Sequence, residues 1–91
     1  MNTFAQDPDA RLDYTIDWTD FLTTNTDTAA SIELITPEGI TTDGSTLVEG
    51  SKHTFFISGG TTGRVYRITS RITTNDGRIN DQSIIILIRE H

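Results

Sequence analysis

"RVYRITSRITTNDGRINDQSIIILI", Arg64 to Ile88, decides how this chain folds. Tyr66, Ile68, Ser70 and Ile72 share one parity; Arg67, Thr69, Arg71 and Thr73 share the other. A strand sends alternate side chains to opposite faces, so this segment has one inward and one wet face. Asn75-Asp76-Gly77 follows, a hairpin turn signal. The chain returns through Ile79 into five consecutive aliphatic residues, Ile84 to Ile88. The stretch is therefore a β-hairpin of two long strands. Its second arm is apolar on both faces, and a small domain must find cover for each.

Upstream, "LDYTIDW" alternates cleanly, with Leu12, Tyr14, Ile16 and Trp18 inward and Asp13, Thr15 and Asp17 outward. A polar loop, "TTNTDTAAS", leads to a strand around Ala30–Thr36, with Ile32 and Leu34 inward, that stops at Pro37. Two short strands are expected near Gly39–Thr42 and Thr46–Glu49, split by Asp43-Gly44. "HTFFIS", His53–Ser58, gives another strand, with Phe55 and Ile57 on one face and Phe56 on the other. Tyr66 opens the penultimate strand behind a glycine-rich corner, "SGGTTGRVY". Immunoglobulin-like sandwiches hold a tyrosine there, its hydroxyl bonded back to the corner. The expected fold is all-β, an immunoglobulin-like or fibronectin-III-like β-sandwich of about seven strands without a disulfide. The layout is an N-terminal arm over residues 1–11 and one sandwich domain over residues 12–91.

Composition narrows the function classes. A chain of 91 residues fits one domain with one modest core. A net charge of −6 and a pI near 4.5 argue against nucleic acid and anionic membrane surfaces as partners. The absence of cysteine excludes disulfides and thiol chemistry, and favours folding in a reducing cytosol. "MNTFAQDPDA" has no basic region followed by an apolar one, so no signal peptide is expected.

Nothing in the chain announces an enzyme. His53 reads as an exposed histidine at a strand start, and His91 as a fraying chain end. Asp7, Asp9, Asp13, Asp17 and Asp20 match no calcium-loop spacing. On one strand Asp13 and Asp17 lie roughly 13 Å apart, too far to share an ion. "SGGTTGR" lacks the spacing of a phosphate loop. No cofactor and no metal are expected.

Three explanations compete for the two-sided strand. A twist or bulge swaps its faces, the N-terminal arm folds over it, or a neighbouring chain covers it. Cover by another chain is the favoured one, with Ile85 and Leu87 as the contact. Asp13 and Asp17 form an acidic stripe, and Arg67 and Arg71 a basic one. Between identical subunits such stripes are complementary and set register.

"DPDARLDYTIDWTDFL", "TPEGI" and "YRITSRITTNDGR" together resemble small tailed-bacteriophage virion proteins of the fibre–tail adaptor type. The resemblance spans roughly Asp7 to Leu87. It implies a structural component of a phage particle, made and assembled in host cytoplasm and placed where fibres meet the tail or neck. Its implied partners are other phage structural proteins and copies of itself in a ring. "DPDARLDYTIDW", with Asp7, Pro8 and Asp9 at its head, is the edge the resemblance marks for docking. The rival readings are a capsid decoration protein of the same fold and, from a different class, a carbohydrate-binding attachment module using Phe56 or Trp18. A small hydrolase ranks last.

Overall fold

The computed structural model describes residues 2–90. Seven strands and one short helix follow in the order β1 (Asn2–Gln6), β2 (Arg11–Asp17), α1 (Thr19–Thr24), β3 (Ala29–Ile35), β4 (Ile40–Val48), β5 (Lys52–Gly59), β6 (Val65–Thr74) and β7 (Ile79–Ile88). One sheet has the order β1-β7-β6-β3 and the other β2-β5-β4. This is the two-sheet immunoglobulin arrangement, with the first strand moved to lie beside the last.

The hairpin forms as its alternation dictates. β6 and β7 pair antiparallel in unbroken register from Thr73↔Ile79 to Val65↔Leu87. Tyr66, Ile68, Ser70 and Ile72 are buried from β6, and Ile84, Ile86 and Ile88 from β7. They meet Phe55 and Ile57 of β5, Ile16 of β2, and Trp18. The tyrosine corner is present: the Thr61 amide donates to the Tyr66 hydroxyl at 2.9 Å. Gly60 makes room for it. Its φ is +89°, and a Cβ there would come within 2.7 Å of Ile88 Cγ1.

Five expectations need correction. Residues 2–6, read as part of an arm, are a strand that pairs parallel with Ile84–Ile88. The two short strands near Gly39–Thr42 and Thr46–Glu49 are one strand, β4, whose register shifts between Asp43 and Thr46. Gly44, with φ +64°, makes a bulge there rather than a hairpin turn. The strand expected to run through Trp18 ends at Asp17, and α1 follows at once, consuming the start of the polar loop. Leu12 keeps the inward parity but is 45% exposed, because it lies near the strand's open end. His53 is fully buried. It shares parity with Phe55 and Ile57, and that alternation is the signal that places it inside. His91 lies outside the described residues.

Candidate assembly surface

The outer face of the four-stranded sheet is built row by row from the strand register. Ala5, Leu87 and Val65 form the first row, and Thr3, Ile85 and Arg67 the second. Ser83, Thr69 and Ile35 form the third, and Asp81, Arg71 and Glu33 the fourth. One end of the face is thus aliphatic and the other charged. Val65 is 61% exposed, and Ile85 and Leu87 are half-buried. β7 has no bulge to swap its faces, and β1 lies beside it rather than over it. So, among the described residues, the outward aliphatic side chains have only their sheet neighbours for cover. An open cleft of about 450 Å³ beside them is lined by Arg67, Thr69, Asp81, Gln82 and Ser83.

Arg71 and Asp81 face each other across β6 and β7 in a two-point ion pair, with Nε–Oδ1 at 2.8 Å and Nη2–Oδ2 at 3.0 Å. This hydrogen-bonded pairing raises the Arg71 pKa and lowers that of Asp81. Arg71 is therefore already engaged within the molecule. Arg67 stands beside Ile85, on the aliphatic half.

The acidic stripe lies on the opposite sheet. Asp13 and Asp43 flank Phe56 from either side in the register of β2, β5 and β4. The Arg11 guanidinium sits 3.9 Å from the Phe56 ring centroid and binds Asp43 at 2.7 Å. Asp17 acts locally, its carboxylate accepting from both the Thr19 amide and the Thr19 hydroxyl. Those bonds, led by the hydroxyl, lower its pKa and fasten the start of α1. Asp13 and Asp17 thus share one outer face, and Arg67 and Arg71 share the other. The structure does not bring the two stripes together.

Asp7, Pro8 and Asp9 form the turn that carries the chain from one sheet to the other. The Asp9 amide donates to Asp7 Oδ1 at 2.8 Å, and the Ala10 amide to the Asp7 carbonyl at 3.0 Å. Gln6, just before the turn, is buried and anchors it. Its Nε2 donates to the carbonyls of Ile57 (2.8 Å) and Ala10 (3.2 Å), while its Oε1 accepts from the Tyr14 hydroxyl at 2.8 Å. No local signal marks Gln6 in the sequence, because a lone glutamine next to an Asp-Pro pair reads as loop.

Among the described residues no group of His, Cys, Asp or Glu is placed to hold a metal, and no helix is long and apolar enough to cross a membrane. Trp18 is fully buried, so it offers no stacking face to a sugar.

Comparisons with known proteins give a family and a fold likeness. A family model described as "Podophage GP4 fiber-tail adaptor protein gp77" matches residues 6–87. A search of curated proteins found no match. Among solved structures, an endo-fucoidan hydrolase of glycoside hydrolase family 107 is similar in fold, with a TM-score of 0.67 at 12% identity. The likeness covers 100% of this chain but 13% of that one, so the chain spans a small fraction of the enzyme.

Proposed function

The chain belongs to the podophage GP4 fiber-tail adaptor family, and from that membership we propose that it links fibres to the tail or neck, its two outer sheet faces making the subunit–subunit contacts. The observation that carries the reading is the aliphatic half-face formed by Val65, Ile85 and Leu87, with Arg67 beside it. An exposed aliphatic patch on a strand of high β-propensity is an association surface. Its first occupant is a second copy of the chain. The acidic face around Asp13 and Asp17 is the complementary surface, and it points the opposite way on the same molecule.

A contact between two different faces is head-to-tail, and such contacts close into a ring when the rotation per subunit allows it. Burial of Ile85 and Leu87 supplies the driving force, and the charges set register. The Asp7–Asp9 turn is a contact for the tail, neck or fibre protein. The role is non-catalytic, carried out in the virion after assembly in host cytoplasm. Neither nucleic acid nor membrane is a partner in this reading.

The test replaces Ile85 and Leu87 together by Thr and examines purified particles by electron microscopy with antibody against the chain. Wild-type particles should carry label at the tail or neck, and variant particles should lose label and fibres while the isolated variant stays folded. Variant particles with full fibres would remove the face from the interface. Wild-type label on the head would make the chain a decoration protein.

A further inference from the structure

A hydrogen-bonded chain of four polar groups runs from the core to the surface, ending at the exposed Ser45. The Trp18 indole N–H donates to Ser70 Oγ at 3.0 Å. Ser70 Oγ lies 2.7 Å from His53 Nδ1, and His53 Nε2 lies 2.7 Å from Ser45 Oγ. Trp18, Ser70 and His53 are fully buried. The chain crosses the sandwich, since Ser70 belongs to β6 in one sheet and His53 to β5 in the other. Trp18 precedes α1, and Ser45 sits in the β4 bulge.

One placement of the protons satisfies every member of the chain. An indole only donates, so Ser70 accepts from Trp18. In that placement Ser70 gives its own hydrogen to Nδ1, and the hydrogen of the neutral ring sits on Nε2, donated to Ser45. Every member is satisfied in this arrangement, and the ring is neutral.

We propose that this chain is an acid-sensitive fastener between the two sheets, released when His53 takes up a second proton. That proton enters at Nδ1, facing Ser70. Ser70 Oγ then meets two donors, and its own hydrogen loses its acceptor. The imidazolium also lacks an acidic partner among the described residues. The carboxylates of the strands beside it, Asp13 and Asp17 of β2 and Asp43 of β4, lie on the outer face of their sheet. Asp20 of α1 is exposed. Lys52 of β5 pairs with Glu49. From the opposing sheet, Arg67 and Arg71 of β6 and Asp81 of β7 face outward, and Glu33 of β3 stands opposite Arg71 on that outer face. Tyr14 of β2 shares the inner face, but its hydroxyl is held by Gln6.

Burial lowers the His53 pKa from its ordinary value. The unfolded chain therefore takes up this proton first as pH falls. The stability the fastener supplies is present in full above about pH 6.5, and declines below that value toward the folded-state pKa.

The test follows the imidazole nitrogens of the wild-type protein by NMR while its melting temperature is measured from about pH 7.5 to about pH 5. His53 should stay neutral with its hydrogen on Nε2 throughout the folded range. The melting temperature should fall, and His53→Gln should flatten that fall by roughly 5 °C. A hydrogen on Nδ1 in the neutral ring, or titration of His53 near 6.5 in the folded protein, overturns the proposal. So does a His53→Gln variant that keeps the full fall. Should that variant not fold, the wild-type spectra decide alone.

Discussion

Single residues here do work that their neighbours in sequence do not reveal. Tyr66 is nearly buried and its hydroxyl accepts one backbone hydrogen. Tyr66→Phe should cost about 1 kcal/mol, read as a lower urea midpoint at unchanged slope. Asp27 is a sharper case. Its side chain is 1% exposed and ion-paired with Arg78 at 2.9 Å. Burial alone would raise its pKa, but hydrogen bonds from Thr74, Thr28, Arg78 and Asp76 outweigh it and the pKa is lowered. A lowered carboxylate pKa means stability present above the unfolded value, about 3.9, and lost as pH falls through the folded one. Asp17 and Asp81 are shifted in the same direction. Asp27→Asn should therefore melt with a shallower acid limb than wild type below about pH 4, measured by circular dichroism.

Among the strands, β7 is the informative one. Its two faces have the same chemistry and different fates: Ile86 is fully buried, whereas Ile85 is half-buried. Ile86→Ala should destabilise the isolated domain by about 2–5 kcal/mol, and Ile85→Ala by clearly less. Equal losses would mean that the outer face is covered within the monomer. β1 shows what an edge strand can do here. Four of its five residues are exposed, yet it occupies the free edge of Ile84–Ile88. Deleting residues 2–5 should leave that aliphatic edge open to other chains, and light scattering should report larger species. The hairpin and the identity of its buried face were legible from alternation alone. The single strand β4 was not, because Asp-Gly signals a turn or a bulge equally well, and pairing with β5 on both sides of Gly44 decides which.

The complete sandwich sets its charges on opposite faces, and this matters for the proposed contact between copies. If Arg67 and Asp13 meet across that contact, Arg67→Glu and Asp13→Lys should each weaken self-association by up to about 1 kcal/mol. The double exchange should restore it, and added salt should shrink all these differences as the Debye length falls from about 10 Å at 0.1 M to about 3 Å at 1 M. Analytical ultracentrifugation of the four proteins checks this. A double variant no better than the singles would unlink the two faces.

The features legible in the chain alone were local: which residues share a face, where the Tyr66 corner falls, and that Ile84–Ile88 is apolar on both sides. Alternation has a period of two, so it is written in neighbouring residues and survives without knowledge of the fold. Everything that depends on distant pairing waited for the folded molecule. Folding moved residues 2–6 from an arm into a sheet and joined β4 across its bulge. It buried His53 against Ser70, 17 positions away, and set the two charge stripes on opposite faces. Each of these follows from which strands become neighbours. That choice is made by the combined burial of the whole core, which no short stretch of sequence contains.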